Sequence, residues 1–245
     1  MIQIDRIEKS FGHNRVLRQV SLEVPKGCLY GLIGPGASGK SVLLKTVAGL
    51  MRPQGGRVVV EDQDIFGMPD IELQKFRANF GMLFQNYALF DYLTVYENIA
   101  FPLRRMTKLT EDQIRDRVAD RLKCVQLPGF EDRMPSGLSG GQKKRIGVAR
   151  ATVMQAPYVL YDEPAAGLDP VTSQRIFNLL RDEQRSAGST VVMVSSDIER
   201  LLTVTDRVGM LYKGHLIFDG TTEEAKSSED PYVRQFVHGL VDGPL

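Results

Sequence analysis

Residues 34–41 read GPGASGKS, and no other stretch limits so severely what this chain can fold into. The segment has the spacing G-x-x-x-x-G-K-[S/T] and lies between the apolar run CLYGLIG (28–34) and the helix-forming SVLLKTVAGL (41–50). Such a loop needs a strand to launch it and a helix to receive it, because its backbone N–H groups must converge at the helix's positive end. Gly34, Gly36 and Gly39 permit the bend, and Pro35, Ala37, Ser38 and Val42 complete the cradle. A phosphate chain fits that geometry: Lys40 would reach β- and γ-phosphates, and the Ser41 hydroxyl would ligate Mg²⁺.

The remaining apolar runs repeat the strand-then-helix alternation: RVVV (57–60), FGMLFQ (80–85), YVLYDEP (158–164), TVVMVSS (190–196) and RVGMLY (207–212). Continuous, β-branched runs suit strands buried on both faces, so they predict a doubly wound α/β core with a parallel sheet. Between Phe90 and Gln155 the period turns helical. One helix is expected to start at Thr110, where Gln113 completes a capping box, and another at Ser139. No repeat, low-complexity segment or long linker occurs, so the helical stretch is read as an insertion within one unit spanning 1–245.

Composition excludes more than it assigns. Thirty-one basic residues against thirty acidic ones leave a net charge of +1, which gives no footprint for a nucleic-acid partner. The two cysteines, Cys28 and Cys124, match no metal-ligand spacing and are read as core thiols of a reduced cytoplasm. No apolar run reaches eighteen residues, and MIQIDRIEKS carries neither a signal nor a transit pattern, so a cytoplasmic location is expected.

YVLYDEP supplies what the cradle lacks. Asp162 and Glu163 stand at the carboxyl end of a buried-strand pattern, where α/β folds bind ligands. One carboxylate there can hold Mg²⁺ while its neighbour orients or deprotonates a water.

With LSGGQ at 138–142 between these two motifs, the chain resembles the ATP-binding subunit of an ABC transporter over essentially its whole length. The resemblance implies a P-loop NTPase (RecA-like) core of mainly parallel sheet, an antiparallel β-subdomain and an inserted helical subdomain. Residues 1–89 and 156–245 would form the core, β-subdomain and C-terminal helix, and 90–155 the helical part. Ser139 would cap a helix while Gly140 and Gly141 expose N–H groups, with Gln142 beside them, as a second anion site. In the family that site takes the γ-phosphate of ATP held by another copy, which implies a head-to-tail dimer sandwiching two Mg²⁺·ATP. The same resemblance assigns Phe11 to stacking on adenine, although a place in the core of the first strand is open to it. It makes Gln85 the sensor of Mg²⁺ and attacking water, Ser41, Gln85 and Asp162 the metal ligands, Asp169 an interface aspartate, and Glu163, Gln85, Lys40 and position 196 the catalytic set. The stretch YALFDYLTVY (87–96) would help form a groove for a permease helix.

A narrower likeness lies in MLFQNYALF with FPLR, in YDEP, and in the ending DPYVRQFVHGLVDGP. These look like the MlaF/Mkl group, ATPases paired with MlaE-like permeases and MlaD-like Mce-domain lipid-binding proteins in phospholipid traffic. That likeness implies a peripheral position on the cytoplasmic face of an inner membrane. Physically, the ending is an amphipathic helix over 231–240 with Val233, Phe236, Val237 and Leu240 on one face, free to pack on its own core or on a partner.

One departure stands out. The family usually places a histidine two residues after the strand that ends VVMV, and this chain has Ser196 there. A hydroxyl is shorter than imidazole and carries no positive charge. Losing one preorganised donor at a developing anion costs about 3 to 4 kcal/mol, so a slowed ATPase is expected. A subunit that binds ATP without hydrolysing it, an ATPase for another cargo, and a soluble ABC ATPase of translation or DNA repair are the alternatives.

Overall fold

Alternating burial shapes the first sheet. In strands β1 (Ile2–Phe11) and β2 (Asn14–Val24), Ile2, Ile4 and Ile7 face Leu17, Val20, Leu22 and Val24 in the core. The spacing slips by one between Ile4 and Ile7 and between Leu17 and Val20. Arg6 and Gln19 take positive φ there, and the β1–β2 register shifts between Ile4 and Ile7, which keeps the apolar set inward. Strand β4 (Gly55–Val60) pairs antiparallel with β1, and the short β5 (Gln63–Asp64) completes the order β2-β1-β4-β5. RVVV was expected in a parallel sheet and is found in this antiparallel one. A short valine run cannot distinguish the two, and only the burial of Val58 and Val60 on one face does.

The second sheet has the order β10-β9-β3-β8-β7-β6: β10 (His215–Thr221), β9 (Arg207–Tyr212), β3 (Leu29–Ile33), β8 (Thr190–Val194), β7 (Tyr158–Asp162) and β6 (Phe80–Leu83). All pairs are parallel except the β9–β10 hairpin. Every residue of β3, β7 and β8 is buried, because each of these strands has a core on either face. Tyr30, Leu32, Val192 and Val194 join the layer of β1, β2 and helix α1 (Lys40–Val47). Leu29, Ile33, Val191 and Met193 face α6 (Pro170–Ala187) and the inserted helices.

Helix α2 (Asp70–Phe76) precedes β6, and α3 (Val95–Met106), α4 (Glu111–Cys124) and α5 (Gly140–Thr152) lie between β6 and β7. Each inserted helix opens with a capping box, Thr94 with Glu97, Thr110 with Gln113 and Ser139 with Gln142. Each cap contributes about 1 kcal/mol. Helix α7 (Ile198–Val204) follows β8; α8 (Thr222–Lys226) and α9 (Pro231–His238) close the chain. Val233 of α9 is fully buried, Phe236 and Val237 pack against the core, and Leu240 remains exposed, so the tail helix docks on its own chain.

The structure describes residues 1–85 and 88–245; Tyr87, at the head of the stretch assigned to the permease groove, lies outside them. Cys28 is buried as expected, and burial pushes its thiol up to about 11, whereas Cys124 is exposed near the end of α4 and is not a core thiol. Among the described residues, no helix is long and apolar enough to cross a membrane.

Candidate active site

Parallel strands deliver their carboxyl ends to one edge, and the chemistry gathers there. Strands β6, β7, β8 and β3 are neighbours, and they lead respectively to Gln85, to Asp162 and Glu163, to Ser196, and to the loop from Gly34.

The loop's shape follows from its glycines. Gly34 has φ +140°, and a Cβ there would lie 2.0 Å from Leu211 O; Gly39 has φ +105°, and a Cβ would meet Leu17 at 2.7 Å. Ala37 also takes positive φ, at 59°. Gly36 has open space, while the Pro35 carbonyl accepts the Ser38 N–H at 3.3 Å. Lys40 arches over the loop, its Nζ donating to Gly34 O at 2.7 Å and Pro35 O at 2.8 Å and approaching Ser38 Oγ at 3.3 Å. Burial lowers the Lys40 pKa, while Glu163 and Asp162 oppose that shift. Val42 stands in the first turn of α1, its carbonyl accepting the Thr46 hydroxyl at 2.8 Å.

Ser41 Oγ donates to Asp162 Oδ1 at 3.0 Å, which joins the loop to the end of β7. Asp162 is 3% exposed, and burial raises its pKa against the pull of Ser41, Lys45 and Lys40. A hydroxyl and a buried carboxylate are the hard oxygen donors that Mg²⁺ takes when phosphates and water fill its other positions. The donor set therefore fits that ion. No group of three or more His, Cys, Asp or Glu able to hold a metal occurs among the described residues.

Glu163 takes φ 52°, a region disfavoured for any residue with a Cβ. Its N–H donates to Val194 O at 3.0 Å, and its Oε2 accepts both the N–H and the hydroxyl of Ser196, each at 3.0 Å. Ser196 thus gives the carboxylate two donors, one from its main chain and one from its side chain.

The other expected residues sit on elements of their own: Phe11 ends β1, Gln85 follows β6, Ser139 caps α5 and Asp169 caps α6. Ser139 accepts the Gln142 N–H at 3.3 Å, and Gln142 Oε1 accepts the Ser139 N–H at 2.9 Å, so the capping box engages the signature side chains. Gly140 begins α5, and a Cβ on Gly141 would come within 3.4 Å of Thr172, against α6. Asp169 caps α6, accepting the N–H groups of Val171 and Thr172 at 3.0 Å, and hydrogen bonding to the Thr172 side chain, then to these N–H groups, holds its carboxyl below the usual range. Gln85 is exposed two residues beyond β6. Phe11 is 49% exposed with Lys9 Nζ 5.5 Å from its ring centroid, which removes the option of a core position.

Lys144 escaped the sequence reading. It is buried beneath the corner, bonded to the carbonyls of Glu163 and Ala166. Its one available signal was the i, i+4, i+8 row Lys144, Val148, Thr152 on a buried helix face.

The ABC transporter family profile matches residues 17–166. The chain belongs to the ABC transporter family. It is 41% identical over 244 residues to the probable ribonucleotide transport ATP-binding protein mkl of Mycobacterium leprae, spanning all of this chain and 70% of that protein. It is 34% identical over 245 residues to the intermembrane phospholipid transport system ATP-binding protein MlaF of Haemophilus influenzae, spanning all of this chain and 93% of that one. Among solved structures, a dimeric post-hydrolysis state of an ATP-binding cassette bound to ADP and Pi superimposes with a TM-score of 0.85 at 30% identity, covering 91% of this chain and 99% of that one. The chain is an ATP-binding, ATP-hydrolysing subunit with the ABC ATPase fold, as the sequence predicts.

Proposed function

We propose that this ATPase drives phospholipid movement between membranes as part of a complex with a permease. The observation that carries the catalytic half of this reading is the junction at neighbouring strand ends, where Ser41 meets Asp162 and Ser196 meets Glu163. ATP lies with its phosphates on the N–H groups of residues 34–41, Lys40 contacts the β- and γ-phosphates, and Phe11 stacks on adenine. Ser41, Asp162 and Gln85 hold Mg²⁺, which neutralises phosphate charge when bound. Glu163, its carboxylate fixed by Ser196, orients the attacking water and draws off its proton. Ser139, Gly140, Gly141 and Gln142 of one copy close on the γ-phosphate held by another, with Asp169 at the joint, so that two ATP molecules complete a head-to-tail dimer.

Ser196 moves the group at this position from the phosphate to the carboxylate. This position adds no cation to those of Lys40 and Mg²⁺ at the developing phosphate charge, while Glu163 is held by two donors from Ser196, so the enzyme turns over slowly.

The apolar cavity of about 350 Å³ lined by Met82, Phe84, Phe90, Phe101 and Met154 lies beside the Gln85 loop and takes a helix of the permease. The subunit then sits peripherally on the cytoplasmic face of the inner membrane. The cargo assignment is supported by the name of the MlaF relative, and the mkl name supports ribonucleotides as the second reading. A complex copurified with its permease and an Mce-domain protein in nanodiscs separates them. Phosphate release should rise with anionic or zwitterionic phospholipid and stay flat with added ribonucleotides; the opposite response selects the second reading.

A further inference from the structure

Glu163 is fixed at three points, and only two have been given a purpose. Its N–H is held by Val194 O and its carboxylate by Ser196. The third hold is on its carbonyl, which accepts from Lys144 Nζ at 3.4 Å and from the Ala166 N–H at 3.3 Å. Lys144 also donates to Ala166 O. Both carbonyls belong to the turn that leads from β7 to Asp169, the cap of α6.

Lys144 stands five residues beyond the Ser139 cap of α5, and 2% of it reaches solvent. Burying an ammonium is unfavourable enough to push its pKa down to about 8, with Glu163 opposing the shift. An apolar side chain of similar length would fill the same space without that penalty, so the site retains a cation for what the cation holds. What it holds is a turn whose first residue occupies a conformation that side-chain-bearing residues avoid and that neighbours must therefore enforce.

We propose that Lys144 is a positioning residue for hydrolysis, tying the helix that begins at the signature to the main chain of Glu163 and thereby aiming its carboxylate at the attacking water. The inference rests on the reading of Glu163 as the group that orients that water. It adds a route between the two nucleotide sites of a dimer. Ser139, Gly140 and Gly141 head the helix that carries Lys144, so contact of that helix end with a second copy's ATP is passed through one side chain to Glu163 in its own site.

The test uses the full chain and three variants, Lys144→Met, Lys144→Arg and Glu163→Gln, with affinity for a fluorescent ATP analogue, steady-state phosphate release and thermal unfolding measured for each. Lys144→Met should lower kcat by about 10- to 100-fold, the effect of a misplaced reacting group, with ATP affinity within about twofold. Lys144→Arg keeps a charged donor and should recover most of the lost rate. A wild-type kcat in Lys144→Met overturns the proposal, as does a joint fall of affinity, kcat and melting temperature that Lys144→Arg does not relieve. Should Lys144→Met fail to fold, Lys144→Leu, which also lacks a donor for the two carbonyls, carries the same expectation. If Glu163→Gln hydrolyses ATP at the wild-type rate, the underlying reading of Glu163 fails whatever Lys144 does. If Glu163→Gln is inactive while Lys144→Met is fully active, only the inference about Lys144 fails.

Discussion

The phosphate loop and the carboxylate corner face each other across the sheet edge and are built by opposite means. Residues 34–41 hold their shape locally: two glycines at positive φ, a backbone turn, and a lysine bonded to carbonyls five and six residues away. The corner is assembled from afar, because Glu163 is kept in place by Val194, Ser196 and Lys144. A local device depends on residue types at fixed spacing, whereas a distributed one can exchange a member and survive. The replacement of the usual histidine by Ser196 is such an exchange.

The largest effect should come from breaking the local device. Gly34→Ala forces a Cβ to within 2.0 Å of the Leu211 carbonyl at φ +140°, and no flexible side chain is there to move aside. A loss of about 3–5 kcal/mol in urea unfolding, with ATP binding abolished, is expected. Next is Glu163→Gln, which keeps an acceptor for the Ser196 bonds but removes the proposed base: phosphate release should fall about 10²- to 10⁴-fold while ATP affinity holds. Ser196→Ala sharpens the comparison further. It deletes the hydroxyl donor and leaves the N–H donor, so kcat should fall only about 10-fold in a phosphate-release assay, the worth of one hydrogen bond to a charged group.

These contrasts explain what the sequence allowed a reader to see. GPGASGKS, the strand ending Asp162–Glu163 and the Thr110 and Ser139 caps are local patterns, legible because their physics is complete within a few residues. The antiparallel placement of RVVV was not legible, because Val58 and Val60 find their buried side only when β1 pairs with them. Lys144 was hidden for the same reason: its partners lie 19 and 22 residues away on another element, and a lysine after LSGGQ looks like a solvated one. Exposure of Cys124 depends on which side of α4 meets α3 and α5, which a polar helix with a narrow apolar stripe leaves open.

The smallest expected effect is on pH dependence. The Lys144 ammonium is held down to about 8 by burial, against 10.5 in the unfolded chain. Below about pH 8 both states carry the proton and its contribution to stability is constant. Between about 8 and 10.5 the unfolded state binds more protons, so stability from this group rises with pH. Urea unfolding of the wild type and Lys144→Met at pH 7.0 and 9.5, values chosen to bracket about 8, should show the difference shifting toward the wild type at the higher pH.

On the proposed reading, Ser196 keeps Glu163 working in place of the missing imidazole. Single-turnover phosphate release by the wild type, Ser196→Ala and Glu163→Gln, each saturated with ATP, tests it most directly. A graded series is expected, with the wild type fastest, Ser196→Ala intermediate and Glu163→Gln slowest. A wild type no faster than Glu163→Gln, with ATP bound in both, would contradict it and make this chain a nucleotide-occupancy signal instead of a motor.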